Sequence, residues 1–147
     1  MKARRVLHPS DFSTVSNAAF GKAVEVAKDD GAELLVVHVL APIGPLVGDG
    51  YVSPRTFEDL ERAAHEQAQK RLGALVARAK KAGVRASSML AEGVPWQEVV
   101  RIVKSKRIDL VVMGTHGRSG LAKFFLGSVA ERVVASSPCP VLTVRSR

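Results

Sequence analysis

The 147-residue chain has little cysteine and few aromatic residues, and each shortage excludes a class of protein. The single cysteine, Cys139, rules out an intramolecular disulfide framework and a zinc site built from several cysteines. With five Phe, one Trp and one Tyr, the chain lacks the basic and aromatic clusters on which RNA bases stack. No apolar run approaches the ~20 residues of a membrane span. Only two apolar residues follow the basic start at residues 1–5, so we expect no secretory signal and a cytoplasmic protein.

Acidic residues are in the minority. The chain has 14 Asp and Glu against 22 Lys and Arg, a net charge of +8. This balance favours anionic partners such as phosphates, nucleotides, nucleic acid or acidic surfaces, without choosing among them. Hydrophobic residues at 46% and charged residues at 24% are typical of a globular protein, so residues 1–147 are predicted to form a single folded domain.

Apolar strands alternate with amphipathic helices along the chain. Leu34–Leu40 is apolar on both faces, which is typical of a parallel strand covered by helices on both sides. Ser13 and Ser53 are predicted to cap the first two helices, and Gly31 to end the first. The second helix has an apolar stripe that is expected to face the core and consists of Phe57, Leu60, Ala64, Ala68, Leu72, Leu75, Val76 and Ala79. The predicted strands are residues 6–8, 34–40, 84–90, 108–113 and 141–144. This order predicts right-handed crossovers and an α/β fold with a parallel sheet.

In such sheets ligands bind outside the carboxyl ends of the strands, at the point where the strand order reverses. Asp11, the loop after Val39, Glu92–Gly93 and residues 114–128 all follow predicted strands. Asp109 opens a strand and is expected at the opposite rim of the sheet.

The glycines after the fourth strand form the motif Gly114-x-x-Gly117-x9-Gly127-Ser128. Gly114 is expected to let the chain leave the strand in a backbone conformation that residues with a Cβ cannot adopt, and Gly117 to let main-chain N–H groups approach an anion closely. Gly127 and Ser128 stand at the start of a predicted helix, whose unpaired N–H groups and positive dipole end favour phosphate. Arg118 and Lys123, between the anchors, can neutralise further charge. Neither the nucleotide P-loop nor the dinucleotide Gly-x-Gly-x-x-Gly pattern is present.

The motif resembles that of universal stress proteins, in particular the ATP-binding branch of that family. Pro9–Ser13 is similar to the family's opening, Val36–Val39 to its second strand, and Ser137–Val141 to the entry of its last strand. The resemblance implies a three-layer, open five-stranded parallel sheet of order 3-2-1-4-5, Rossmann-like and of the adenine nucleotide alpha hydrolase-like type. His8 departs from the aliphatic residue that is usual in the family.

The motif and the resemblance together indicate the candidate nucleotide-binding residues. These are Pro9, Ser10, Asp11, Val39, Met113, Gly114, Gly117, Arg118, Gly127, Ser128 and Val129. The resemblance implies that the Asp11 carboxylate lies near the adenine or ribose and that Val39 lines the adenine pocket. It also implies that Gly117, Gly127 and Ser128 hold the phosphates.

The function that the resemblance implies is an ATP-binding sensor or regulator of the stress response. No catalytic constellation is evident, so hydrolysis is expected to be slow at most. Mg²⁺ or Mn²⁺ bridging the ATP phosphates to Asp11 is a hypothesis. Two alternatives stay open: an α/β adenine-nucleotide hydrolase or transferase, and an interaction protein that uses its basic surface for nucleic acid or acidic partners. The scarcity of stacking aromatics makes nucleic acid the weaker of those partners.

The last strand consists of Val141, Leu142, Thr143 and Val144 and is apolar on both faces. Its place at the end of the order 3-2-1-4-5 makes it an edge strand, and bare apolar edges invite pairing. We therefore expect a homodimer with two-fold symmetry through this strand, and the resemblance implies the same.

Overall fold

The computed structural model describes residues 2–42, 53–116 and 126–146, in which strands and helices alternate. The elements are β1 (Arg5–Pro9), α1 (Thr14–Asp30), β2 (Glu33–Leu40), α2 (Pro54–Lys81), β3 (Arg85–Glu92), α3 (Pro95–Ser105), β4 (Leu110–Gly114), α4 (Ser128–Ser136) and β5 (Val141–Val144). The sheet has the order β3-β2-β1-β4-β5, and its paired strands are parallel. The predicted α/β fold and its 3-2-1-4-5 order are confirmed.

Two apolar layers enclose the sheet. On one face, Phe20 of α1 and Leu72 of α2 are buried in a cluster that includes Val6 of β1. On the other face, Ile102 of α3 and Val133 of α4 are buried in a second cluster. Full burial of a side chain of this kind contributes about 1.5–3 kcal/mol, so these layers hold the helices on the sheet.

The helix caps follow the sequence signals. The hydroxyl of Ser13 accepts the N–H of Ser16 at 3.2 Å, and α1 ends at Gly31, whose φ of +66° is the left-handed conformation that glycine adopts readily. Ser53 caps α2 in the same way, with its hydroxyl accepting the N–H of Thr56 at 3.2 Å. Both predicted caps are confirmed.

The apolar stripe of α2 is buried over only part of its length. The buried positions are Ala68, Leu72, Leu75 and Ala79, whereas Leu60 is 46% exposed. A 28-residue helix is about 42 Å long, while an eight-residue strand spans about 26 Å, so the first turns of α2 extend past the sheet. The prediction that Leu60 faces the core is wrong for this reason. None of the helices in the described ranges combines the length and apolar character that crossing a bilayer requires.

β4 begins two residues later than predicted. Ile108 donates its N–H to the carbonyl of Val103 in α3 at 3.0 Å, and Asp109 donates to the carbonyl of Arg5 at 2.9 Å. Arg107, just before them, has a φ of +52°. The chain therefore completes the turn out of α3 before β4 starts at Leu110.

His8 is a fully buried polar residue in the middle of the sheet. Its Nδ1 donates to the carbonyl of Val112 at 2.8 Å, and its ring centroid lies 5.7 Å from that of Phe20. Within the described residues, Nε2 has no hydrogen-bond partner. Burial lowers the pKa of His8 from 6.5 to about 4, against opposing contributions from the Val112 carbonyl and the Asp11 charge. His8 is therefore neutral in the folded state at neutral pH.

This burial predicts a specific acid sensitivity. Because the folded pKa of His8 lies below the unfolded value, the unfolded chain takes up the proton first as the pH falls. The contribution to stability is full above pH 6.5 and decreases towards pH 4, by about 3 kcal/mol in total. Urea unfolding at a series of pH values measures it. His8→Leu should remove this part of the pH dependence, whereas His65→Gln, at an imidazole that is 44% exposed, should retain it. Parallel pH profiles for wild type and His8→Leu would contradict the assignment.

Gly114, the last residue of β4, lies against the first turn of α1. A Cβ at this position would be 2.8 Å from Cγ1 of Val15 and 3.3 Å from its carbonyl carbon. Carbon atoms do not approach so closely, and the stiff, branched side chain of Val15 has little freedom to move away. The missing side chain at Gly114 therefore sets the distance between α1 and the end of β4.

We expect Gly114→Ala to destabilise the fold by about 1–3 kcal/mol, because the added methyl group forces α1 away from β4. Gly73→Ala is the matched control: its Cβ would meet no atom within 4 Å, and alanine in a helix is favoured over glycine by about 1 kcal/mol. Urea unfolding should thus give changes of opposite sign for the two substitutions. Equal changes in the free energy of unfolding for the two substitutions would show that the contact with Val15 does not limit the side chain at residue 114.

Candidate functional site

A cavity of about 330 Å³ lies at the carboxyl ends of β1, β2 and β4, where the strand order reverses. Its size is at the lower end of the range that is typical of small-molecule sites. The residues that line it come from β1, β2 and β4, from α1, α3 and α4, and from their connections. They are Pro9, Ser10, Asp11, Ser16, Val37, His38, Val39, Pro95, Val99, Met113, Gly114, Thr115, His116, Gly127, Ser128, Val129 and Ala130.

The structure brings nine of the eleven candidate residues together around this cavity. They are Pro9, Ser10, Asp11, Val39, Met113, Gly114, Gly127, Ser128 and Val129. The other two, Gly117 and Arg118, lie outside the described residues, as do Lys123 and most of the long loop predicted after β2. Asp109 lies at the opposite rim, where its carboxylate accepts the N–H groups of Arg4 and Arg5 at 2.8 and 3.0 Å.

The connection from β1 to α1 holds the Asp11 carboxylate at the edge of the cavity. Its Oδ1 accepts the N–H of Ser13 at 2.9 Å and the hydroxyl of Ser16 at 2.8 Å, and its own N–H donates to Ser16 Oγ at 3.2 Å. Ser16 is buried. A carboxylate with two donors on one oxygen is restrained in orientation, so Asp11 is placed before any ligand arrives.

Phe12 and His38 stabilise the connection from β1 to α1. Phe12 has a φ of +63°, a conformation that side-chain-bearing residues rarely adopt. The centroid of its ring lies 4.5 Å from the centroid of the His38 ring. His38 Nδ1 donates to the carbonyl of Ser10 at 2.7 Å. Because a carbonyl oxygen only accepts, Nδ1 carries a hydrogen atom. Both contacts tie the end of β2 to the turn that carries Asp11.

The opposite side of the cavity is built by the end of β4 and the start of α4. Thr115 donates its N–H to the carbonyl of Val144 at 3.0 Å and accepts the N–H of Gly127 at 2.6 Å. Gly127 is the N-cap of α4 and has no side chain with which to cap it. The N–H groups of Ser128, Val129 and Ala130 are in the first helical turn, where no carbonyl of the helix reaches them. These donors, together with the positive end of the helix dipole, make this edge suited to an anion.

His116 also lies on that edge of the cavity. Its Nδ1 lies 2.9 Å from the hydroxyl of Thr115, and its Nε2 is buried without a hydrogen-bond partner among the described residues. Buried polar atoms are almost always paired in folded proteins. Nε2 is itself shielded from solvent, so the contact of His116 with the cavity is made by other atoms of the residue.

Sequence reasoning did not assign several of the residues that the cavity gathers. Ser16 is one helical turn beyond the predicted cap, so only its contact with Asp11 shows its place. The sequence predicts His38 to be a hydrogen-bonded histidine of the core or the rim, and its bond to the carbonyl of Ser10 beside the cavity agrees with this. Within the described residues, no group of three or more His, Cys, Asp or Glu side chains is arranged to hold a metal ion.

Comparison with known proteins shows which family the chain resembles. Residues 2–145 match the profile of the Universal stress protein family. Universal stress protein MJ0531 from Methanocaldococcus jannaschii is 36% identical over 142 residues, which cover 97% of this chain and 82% of the relative. Universal stress protein YxiE from Bacillus subtilis is 34% identical over 145 residues, 96% of this chain and 98% of the relative.

A solved structure, hypothetical protein MJ0577 from Methanocaldococcus jannaschii, superposes with a TM-score of 0.88 at 24% identity, over 100% of this chain and 99% of that chain. This likeness supports the fold, and the sequence matches carry the family assignment. The chain belongs to the universal stress protein family.

Proposed function

We propose that this chain is a cytoplasmic, ATP-binding universal stress protein that acts as a nucleotide-dependent sensor or regulator in the stress response. ATP would occupy the cavity at the carboxyl ends of β1, β2 and β4. The adenosine would lie near Pro9, Asp11 and Val39, and the phosphates near Gly114, Gly127 and Ser128. The observation that carries the proposal is the open N-terminus of α4 facing a restrained carboxylate across one cavity.

The two edges of the cavity suit the two ends of a nucleotide. Asp11 offers a fixed hydrogen-bond acceptor, which matches the hydroxyl groups of a ribose or the amino group of adenine. Val37, Val39 and Val99 supply apolar surface for a base. The first turn of α4 supplies N–H donors for phosphate.

Solved structures that share the fold support the class of ligand. A universal stress protein in complex with cAMP superposes with a TM-score of 0.72 at 24% identity. A family member from Arabidopsis thaliana with AMP bound gives 0.71 at 22% identity, and one from Archaeoglobus fulgidus in complex with dAMP gives 0.67 at 22% identity. Each of these ligands is an adenine nucleotide. The choice of ATP for this chain rests on the predicted phosphate cradle from Gly114 to Ser128.

Ser128 provides the sharpest test, because it stands at the first position of α4, where proline is tolerated. Gly127 before it has a φ of −61° and a ψ of 156°, which a following proline also accepts. Ser128→Pro therefore removes one N–H donor and the hydroxyl without breaking the helix. We expect it to weaken ATP binding in calorimetric titration by at least about tenfold, the value of one hydrogen bond to a charged group.

Ser128→Ala is the companion variant, since it removes the hydroxyl and keeps the N–H. Its loss of ATP affinity should be smaller than that of Ser128→Pro. Thermal unfolding of both variants checks that α4 is intact. Wild-type affinity in Ser128→Pro would place the phosphates elsewhere, and the absence of ATP, AMP and cAMP binding by the wild type would refute the proposed function.

A divalent ion, Mg²⁺ or Mn²⁺, would enter with the nucleotide in this proposal. Asp11 is the one Asp or Glu among the described residues of the cavity lining, and magnesium commonly takes one carboxylate together with phosphate oxygens. ATP titrations in the presence of Mg²⁺ and in the presence of a chelator test whether the ion takes part in binding. Equal ATP affinity under the two conditions would remove the ion from the proposal.

We also propose a homodimer through β5. Within the described residues this strand pairs only with β4, so its other edge is not covered by the sheet. Leu142 is 36% exposed, and Val134 of the neighbouring α4 is 47% exposed. Apolar side chains beside an unpaired strand edge favour association with a second copy.

Leu142→Lys should convert the dimer into a monomer at micromolar concentration, because a charge on this edge opposes strand pairing. Sedimentation velocity measures the change. Leu60→Lys on α2, which is 46% exposed and far along the chain from β5, should leave the assembly unchanged. A wild-type monomer, or a dimer that survives Leu142→Lys, would contradict this interface.

A further inference from the structure

The excess positive charge of the chain is concentrated at the rim opposite the cavity. Parallel strands begin at one rim of the sheet, and the helices that precede them end there. Four segments form this amino-terminal rim: residues 2–5, 28–33, 80–85 and 104–109. They contain ten Lys and Arg against four Asp and Glu, a net charge of +6 of the +8 carried by the chain.

Most of the acidic groups at this rim are engaged by the protein itself. The carboxylate of Asp30 accepts the N–H of Ala3 at 2.7 Å, and that of Asp109 accepts the N–H groups of Arg4 and Arg5. Glu33 pairs with Arg85 at 3.3 Å. Within the described residues Arg85 is the one cation of the rim that forms an ion pair, and all ten cations are exposed. The rim therefore presents positive charge that the fold does not neutralise.

A groove of about 500 Å³ runs into this rim beside the amino-terminal half of β3. β3 is an edge strand, and Arg85, Ser87 and Ser88 in its first half are exposed. The polar lining consists of three cations, three serines and one carboxylate: Arg5, Lys106, Arg107, Ser87, Ser88, Ser105 and Glu33. Nη1 of Arg5 donates to the carbonyl of Lys106 at 3.1 Å, which joins the start of β1 to the end of α3.

Arg107 stands in this groove in a conformation that favours glycine. Its φ is +52°, directly after the last turn of α3, where glycine commonly ends a helix. A side-chain-bearing residue there is strained, and such strain is characteristic of functional positions. Glycine would satisfy the backbone conformation at residue 107 without strain. What arginine adds there is its guanidinium group.

We propose that this groove is a second anion-binding site and that it takes a small, multiply phosphorylated ligand. Guanidinium groups and serine hydroxyls are donors that match the several acceptor oxygens of phosphate. The charge of Glu33 is offset by Arg85, so Arg5, Lys106 and Arg107 leave more positive charge than the roughly −2 of one phosphate group balances. A ligand with adjacent phosphates therefore fits the lining best. The site is separate from the nucleotide cavity and does not depend on it.

Titration of the ¹⁵N-labelled protein with inorganic tripolyphosphate, at constant ionic strength, tests the proposal by amide chemical shifts. The largest changes should fall on Ser87, Ser88, Ser105, Lys106 and Arg107. The same spectra contain the amide signals of Thr115, Ser128 and Val129. Changes in those signals would detect binding in the nucleotide cavity separately. Shifts confined to those three residues, or spread evenly over exposed Lys and Arg residues, would overturn the proposal.

Arg107→Gly and Arg107→Asn remove the guanidinium and keep residue types that accept a positive φ. Each should weaken tripolyphosphate binding by about tenfold, as expected for one charge-assisted contact, while the unfolding midpoint stays level or rises. Arg101→Gln is the matched control, since it removes the same charge from the exposed surface of α3, where Arg101 pairs with Glu98. If Arg101→Gln weakened tripolyphosphate binding as much as the Arg107 variants do, the binding would reflect general charge attraction only, and the proposed site would be overturned.

A DNA duplex at equal phosphate concentration distinguishes a small ligand from a nucleic acid. We expect the duplex to bind more weakly than tripolyphosphate, because the groove is concave and admits a small ligand more readily than the convex backbone of a duplex. Tighter binding of the duplex, with shifts along all four segments, would identify the rim as a nucleic-acid surface and refute the small-ligand site.

Discussion

The close approach of α1 to the end of β4 is the contact on which the site depends. It is possible because Gly114 has no side chain where Val15 lies. With α1 in this position, Ser16 reaches Asp11, and the carboxylate faces the cavity that the first turn of α4 closes on the other side. The hydrogen bonds from Gly127 to Thr115 and from Thr115 to Val144 then hold the start of α4 at the end of the sheet. One missing Cβ thus brings the two halves of the site together.

The two rims of the sheet have different chemistry for a common geometric reason. Parallel strands place helix N-termini at the carboxyl rim and helix C-termini at the amino rim. The carboxyl rim therefore provides main-chain N–H donors, and its described lining contains one carboxylate and two histidines, Asp11, His38 and His116. The amino rim instead carries side-chain cations, which also suit the negative ends of the helix dipoles. We propose anion binding at both rims, through the backbone at one and through Arg and Lys at the other.

Local signals predicted the fold well, because they act over a few residues. Ser13, Gly31 and Ser53 mark helix ends through hydrogen bonds and backbone conformations that any helix requires. Strand alternation with helices predicted the sheet, and the resemblance supplied its order. The exposure of Leu60 was missed because it depends on how far α2 extends beyond the sheet, which no local pattern encodes.

The candidate site was predictable where backbone needs dictate the residue and not where contacts are long-range. Gly127 could be found from its spacing, since glycine at a helix start has a local chemical meaning. The spacing also identified Gly114, but the backbone conformation predicted there is wrong: its φ is not positive, and the side chain of Val15, distant in sequence, is what requires glycine. The hydrogen-bond partner of His38 could not be predicted, because the carbonyl of Ser10 is distant in sequence and becomes a neighbour only in the folded structure. The strain at Arg107 is likewise a property of the folded backbone that the sequence does not display.

A crystal structure of the protein grown with ATP tests the central claim most directly. The account predicts phosphate oxygens within hydrogen-bond distance of the N–H groups of Ser128 and Val129, and the adenosine beside Asp11 and Val39. ATP seated in the groove at Arg107 instead, or a carboxyl-rim cavity closed by the protein's own side chains in crystals saturated with nucleotide, would contradict it.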